Sequence, residues 1–136
     1  MNNLSKYDEI QFRVRYGETD QMGVVYHGNY AQYFEMGRTE WFRKKGFSYK
    51  KLEEDGIMLP VVSLAINYKK SAYYDDFIKV KTKLVKTPTV KIEFEHEILN
   101  ENNEILTIGK SVLVFMDIHK NRPTRCPEYL LDKLRI

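Results

Sequence analysis

The residues of this chain best suited to chemistry lie in one stretch, Tyr16-Gly17-Glu18-Thr19-Asp20-Gln21-Met22-Gly23-Val24-Val25-Tyr26-His27-Gly28-Asn29-Tyr30. Asp20 stands in a loop that runs into a helix start, where Asn29 is placed to cap the helix. The first turn of a helix offers backbone N–H groups without intrahelical partners, together with a partial positive charge. Such groups polarise a carbonyl oxygen, while a nearby carboxylate can attack the carbonyl carbon or activate water. The pairing points to acyl chemistry. Taken alone, Asp20 also suits an Asx turn, its carboxylate accepting a following amide. His27 can act through its imidazole, but a backbone oxyanion donor contributes roughly 2.7–4 kcal/mol in other enzymes, so the amide there carries more weight than the ring.

These residues need a frame to position them. Ile10, Phe12, Val14 and Tyr16 alternate with Gln11, Arg13 and Arg15, the period of a half-buried strand over Glu9 to Tyr16. The spacing then shifts to Tyr30, Tyr33, Phe34, Gly37 and Trp41, one face of an amphipathic helix. Asn29 with Gln32 three residues on marks its start, and Arg43, Lys44 and Lys45 before Gly46 mark its end, which predicts a helix over roughly 29–45. Gly37 on the buried face lets a strand approach closely, and a short helix over Tyr49 to Asp55 ends at Gly56.

Three alternating runs follow: Val62, Leu64, Ile66 and Tyr68; Ile78, Val80, Thr82 and Leu84; and Val90, Ile92, Phe94, His96 and Ile98. Thr87-Pro88 and Asn100 to Asn103 supply turns. A last long strand, Ile105 to Asp117, is apolar on both faces around Gly109, and a short helix from Glu128 to Leu134 follows Pro123 and Pro127. One strand, a long helix and four more strands specify an α+β fold, a five-stranded antiparallel sheet wrapped around one helix. A single helix covers only one sheet face, leaving apolar surface and edge strands for a second copy.

Composition narrows the function. The 136 residues, 43% of them hydrophobic, suffice for one core and predict one domain. The 22 basic and 19 acidic residues are interspersed and leave a formal charge of +3, which argues against a nucleic-acid surface. Ten Tyr exceed what a core of this size needs, so some line a pocket or an interface. Cys126 is alone, which predicts a reducing compartment. Met1 to Asp8 lacks the apolar core of a signal peptide and no run reaches the roughly 18 apolar residues of a membrane span, so a cytoplasmic protein is expected. The three histidines are scattered and predict no metal site: His96 reads as a core residue, and His119 sits with Lys120 and Arg122 in a polar turn.

The Tyr16 to Tyr30 segment, followed by Tyr33-Phe34-Glu35 and Arg38-Thr39-Glu40, resembles the hotdog-fold acyl-CoA thioesterases, and among them the 4-hydroxybenzoyl-CoA thioesterase-like family. Asp75-Asp76 entering a strand, and Val114-Phe115-Met116-Asp117 before a basic loop and Pro127, extend the resemblance over essentially the whole chain. It implies the hotdog fold and hydrolysis of acyl-CoA thioesters. Asp20 takes the place of the catalytic carboxylate, as nucleophile or as general base, the carbonyl-polarising amide falls around His27, and Tyr26, His27 and Asn29 shape the reacting end. No metal or redox cofactor is implied, since coenzyme A belongs to the substrate. The family's sites form between subunits of a dimer, commonly within a tetramer, which implies a homo-oligomer.

Around that centre Met22, Tyr26, Tyr33, Phe34 and Val62 are expected to line the acyl pocket. Lys69, Lys70, Lys120 and Arg122 flank strand ends and are nominated for the coenzyme A phosphates. Where relatives often carry a Pro-Ala pair after the second strand, this chain has Lys69-Lys70-Ser71-Ala72. Other hotdog thioesterases place their acid on the central helix, which makes Glu35 the alternative carboxylate; its structural role would be a pairing with Arg38. Two other readings are a non-catalytic acyl-CoA sensor, which would lack the loop carboxylate, and a hotdog dehydratase or hydratase, which needs a loop histidine with a helix carboxylate. Asp20 speaks against both.

Overall fold

Alternation builds the sheet and helical periodicity fills it. The computed structural model describes residues 6–134, so the Met1 to Ser5 part of the polar start lies outside the described residues. Along the chain come β1 (Asp8–Arg13), α1 (Asn29–Lys44), α2 (Tyr49–Glu54), β2 (Ile57–Met58), β3 (Val61–Tyr68), β4 (Phe77–Leu84), β5 (Lys91–Leu99), β6 (Ile105–Val114), β7 (Met116–Asp117), β8 (Arg122–Pro123) and α3 (Glu128–Leu134). The five longer strands form one antiparallel sheet in the order β1-β4-β5-β6-β3, wrapped around α1. No helix among the described residues is long and apolar enough to cross a membrane.

The inner face of β4 presents Ile78, Val80, Thr82 and Leu84, and that of β5 presents Ile92, Phe94, His96 and Ile98, all buried. Their outer faces pair by charge, Lys81 opposite Glu97 and Lys83 opposite Glu95, so the register that buries the apolar set also aligns opposite charges. Tyr30, Tyr33 and Phe34 of α1 pack with Val14, Val80 and Leu106, while Trp41 and Phe42 pack with Phe94, Leu113 and Leu130. Two glycines permit this closeness. A Cβ on Gly37 would stand 2.4 Å from Thr82 Oγ1, and one on Gly109 2.3 Å from the Phe34 ring.

The structure corrects two strand expectations. Tyr16 is not a strand residue: it lies in a 3-10 turn spanning Tyr16–Glu18 and is 78% exposed, because the chain leaves the sheet after Arg13 and Glu18 folds back onto the Arg15 amide. The run from Ile105 to Asp117 is not one strand either. Phe115 is fully buried, its amide donates to Val90 and its carbonyl accepts from Thr124, which diverts β7 into a small sheet ordered β2-β7-β8.

His96 is a core residue. Its ring stacks on Phe34 at 4.5 Å between centroids, with Thr82 Oγ1 and Ser111 Oγ 3.1 and 2.8 Å from its two nitrogens. Burial, aided by the Arg38 guanidinium, pushes its pKa down from 6.5 to about 3. The unfolded chain therefore takes up a proton below pH 6.5 that the native state refuses until about pH 3, so stability falls as pH drops through that window. The slope from this one group is up to about 1.4 kcal/mol per pH unit. Urea unfolding between about pH 7 and pH 5 should show a shallower loss of stability in His96→Gln than in wild type, each measured against its own neutral-pH value.

Candidate active site

The loop between β1 and α1 is held in shape by its own backbone. The Asp20 amide donates to the Val24 carbonyl at 2.9 Å and the Gly23 amide to the Asp20 carbonyl at 3.0 Å, with Gly23 at φ +81° in the left-handed region that suits glycine. Asp20 Oδ1 accepts the Met22 amide at 2.8 Å, so the Asx turn is present. Oδ2 has no hydrogen-bond partner among the described residues and stays available. The Val25 amide donates to the Ala72 carbonyl at 2.8 Å, which ties the loop to the Lys69-Lys70-Ser71-Ala72 segment.

The helix start differs from expectation. Gly28 occupies the cap position with helical φ and ψ, and no side chain caps the helix. Asn29 is the first helical residue, and its Nδ2 donates sideways to the Glu18 carbonyl at 2.8 Å. The Asn29 amide bonds to the Tyr26 carbonyl and the Tyr30 amide to the His27 carbonyl. Among the described residues the amides of His27 and Gly28 donate to nothing, which leaves two N–H groups at the positive end of a 16-residue helix. A Cβ on Gly28 would lie 2.8 Å from the Tyr26 ring, so the small residue lets that ring cover the turn.

A cavity of about 360 Å³ opens beside this turn. Asp20 and His27 line it from the loop and helix start, Lys69, Lys70 and Ser71 from the segment after β3, and Val24, Val25, Tyr30 and Tyr68 complete its wall. Tyr68 was not singled out by sequence, yet its hydroxyl donates to the His27 carbonyl at 3.1 Å and its ring meets Tyr30 edge-on at 5.2 Å. The end of β3 is thereby fixed against the start of α1. Lys70 Nζ pairs with Glu104.

The remaining candidates are placed elsewhere. Tyr26 is exposed and lies against the His27 ring at 4.4 Å between centroids, at the rim rather than on the cavity wall. Met22 points into solvent at the loop tip, 84% exposed. Tyr33 and Phe34 are fully buried in the core and do not reach the cavity: Tyr33 packs against Phe12 and Tyr30, and Phe34 against His96 and Gly109. Val62 is exposed on the edge strand. Lys120 and Arg122 belong to the β7–β8 hairpin, where the Lys120 and His119 amides bind the Asp117 carboxylate and hold it below its usual range. That hairpin follows the end of β6 that pairs with Val61, whereas Lys69 follows Tyr68, so roughly 25 Å of strand separates the two basic groups within one protomer.

Glu18 organises the loop, and its role was not legible as a motif. Its Oε1 accepts the Arg15 amide at 2.8 Å and the Tyr33 hydroxyl at 3.1 Å, and its Oε2 meets Arg15 at 3.1 Å. Its carbonyl receives both the Tyr26 amide and the Asn29 side chain. Burial and the neighbouring carboxylate raise the Tyr33 hydroxyl well above its ordinary value, keeping it protonated as a donor. Glu18→Ala leaves that buried hydroxyl and the Arg15 amide unpaired and should cost about 1–3 kcal/mol in chemical unfolding. Adding Tyr33→Phe to Glu18→Ala should cost less than Tyr33→Phe alone, since the shared bond is already gone.

Comparison with known proteins places the chain in a family. The thioesterase-like superfamily profile matches residues 14–134. An acyl-CoA thioesterase, YbgC of Haemophilus influenzae, is 34% identical over 85% of this chain and 85% of its own length, and the acyl-CoA thioester hydrolase YbgC of Escherichia coli is 28% identical over 90% and 92%. The crystal structure of a DHNA-CoA thioesterase from Staphylococcus aureus superposes with a TM-score of 0.87 at 41% identity, covering 93% of this chain and 85% of that one. The chain, its sheet wrapped around α1 included, thus belongs to the thioesterase-like superfamily, among its hotdog-fold acyl-CoA thioesterases.

Proposed function

We propose that the protein hydrolyses acyl-CoA thioesters at the cavity between the Asp20 loop and the start of α1. The observation that carries this reading is that Asp20, with one carboxylate oxygen outside its turn, lines the same cavity as His27, whose amide has no partner among the described residues. A thioester carbonyl seated there directs its oxygen at the helix-start amides, which stabilise the negative charge that develops on it. Asp20 attacks the carbonyl carbon to give a mixed anhydride whose aspartyl carbon water then attacks, or takes a proton from water that attacks the thioester instead; the new carboxylate oxygen comes from Asp20 in the first route and from water in the second, and in both the thiolate leaves as coenzyme A thiol. No cofactor takes part beyond the coenzyme A that the substrate brings. Lys69 and Lys70 at the cavity edge are the protomer's own contacts for its phosphates.

A second copy completes the assembly in this reading. β3 is an edge strand with Val61, Val62 and Leu64 exposed, an apolar rim with unpaired backbone that a twofold partner can extend. An antiparallel pairing there would bring the partner's β7–β8 hairpin toward Lys69, uniting the two basic groups that one protomer keeps apart. Thiol release from short aliphatic, long aliphatic and aromatic acyl-CoAs, in wild type and Asp20→Asn, tests the reading. Absence of turnover with binding intact would make the protein a sensor instead.

A further inference from the structure

The two peptide units that carry the open amides at the start of α1 are not held alike. In the Tyr26–His27 unit the carbonyl accepts the Asn29 amide at 2.9 Å, an ordinary length, which sets the tilt of the His27 N–H. In the His27–Gly28 unit the carbonyl accepts the Tyr30 amide at 3.3 Å, beyond the usual range, and no side chain caps the helix from Gly28. The missing hold comes from another element. Tyr68, at the end of β3, donates its hydroxyl to the same His27 carbonyl at 3.1 Å. This donor stands on a fixed base: Tyr68 pairs with Thr107 in the β3–β6 ladder, and the next two amides, of Lys69 and Lys70, both donate to the Leu106 carbonyl at 2.9 and 3.0 Å. Its ring meets the buried Tyr30 ring edge-on at 5.2 Å.

We propose that Tyr68 is a positioning residue for the reaction, acting through the His27–Gly28 peptide to aim and strengthen the Gly28 N–H as an oxyanion donor beside that of His27. The inference rests on the reading that the thioester is hydrolysed at Asp20 and His27. A peptide unit is planar, with its N–H trans to its oxygen. A bond that holds the His27 oxygen toward Tyr68 and Tyr30 therefore holds the Gly28 N–H out of the helix start, where nothing among the described residues accepts it. The unit is also conjugated, so a hydroxyl donating to its oxygen draws electron density from the nitrogen and makes the N–H a stronger donor, by roughly 10–30% for each added bond. Because the hydroxyl is in place before substrate arrives, it costs no rearrangement when charge develops on the carbonyl oxygen. Tyr68 also lines the Asp20 cavity, so its ring and its hydroxyl make separate contributions, which Tyr68→Phe divides.

The test compares wild type, Tyr68→Phe and His27→Ala, the two substitutions singly and combined. Tyr68→Phe keeps the ring against Tyr30 and so preserves folding. It should lower kcat for acyl-CoA hydrolysis by roughly three- to tenfold with KM little changed, the factor carried by one neutral hydrogen bond. In the free protein the NMR resonances of the His27 carbonyl carbon and the Gly28 amide nitrogen should both move upfield. With S-acetonyl or S-phenacyl coenzyme A, ketones in which a methylene separates the sulfur from an isotope-labelled carbonyl carbon, the bound carbonyl should resonate downfield of its position in water in wild type and move part of the way back in Tyr68→Phe. The kcat factor should persist in the His27→Ala background, because the bond is to the backbone. An unchanged kcat, a loss carried by KM alone, or resonances that match wild type overturn the proposal. So does a Tyr68→Phe effect that disappears in His27→Ala, which would assign the hydroxyl to the imidazole. If wild type cleaves no thioester, the hydrolysis reading fails by itself, and the ketone resonance in wild type against Tyr68→Phe decides whether Tyr68 sets the grip of the amides on a carbonyl.

Discussion

Asp20→Asn is expected to lower kcat/KM for acyl-CoA hydrolysis by roughly 10²–10⁴-fold while leaving the fold intact. The substitution preserves shape: the Asn oxygen can still accept the Met22 amide that Asp20 Oδ1 accepts at 2.8 Å, so the turn and Gly23 keep their conformation. It removes the anionic oxygen outside that turn, the only part of the residue that can attack a carbonyl or take a proton from water. KM should move little, because the carboxylate acts on the reacting carbon rather than on the bulk of the substrate. Thiol release measures the rate and chemical unfolding confirms the intact fold. Retained activity in Asp20→Asn together with its loss in Glu35→Gln would transfer the acid to α1. Single turnover in heavy-oxygen water then separates the two routes, since a mixed anhydride leaves label in the Asp20 carboxylate and general-base catalysis does not.

Gly109→Ala is expected to destabilise the protein by about 1–3 kcal/mol, a fall in Tm of roughly 4–10 °C for a chain of this size. The added Cβ would meet the Phe34 ring at 2.3 and 2.4 Å, and Phe34 has nowhere to retreat: it is fully buried and stacked flat on His96, which is itself bonded to Thr82 and Ser111. Gly109 stands opposite His96 in the β5–β6 ladder, so the strain falls on the middle of the sheet. Phe34→Leu, by withdrawing the ring edge, should recover part of the loss when combined with Gly109→Ala. A wild-type Tm in Gly109→Ala would show that the helix can lift from the sheet at little cost.

Gly37 shows what was legible in advance: a glycine on the buried face of α1 announces a close approach by a strand, and only the partner, Thr82, needed coordinates, whereas at Gly109 the sequence marked a strand apolar on both faces and the Phe34 contact came from the structure. The strands were legible because one-face burial imposes a period of two, and α1 because its buried residues follow a period near 3.6. Tyr33 and Phe34 misled for the same reason. Helical spacing says that a residue faces inward, but core and pocket are both inward, and packing against His96 and Phe12 decided for the core.

By itself the sequence determined the sheet wrapped around one helix, the loop carboxylate at Asp20 and the helix start beside it, because local propensity, side-chain periodicity and a contiguous motif are properties of neighbours along the chain. Only the tertiary structure decided that Glu18 braces the loop, that Tyr68 pins β3 to His27, that Asn29 ties rather than caps, and that Lys120 and Arg122 lie a strand's length from Lys69. It alone buried Arg38 in the wall of a second cavity, its Nε without a partner among the described residues. Those relations join residues far apart in sequence, and their geometry exists only once the strands have paired and the helix has docked.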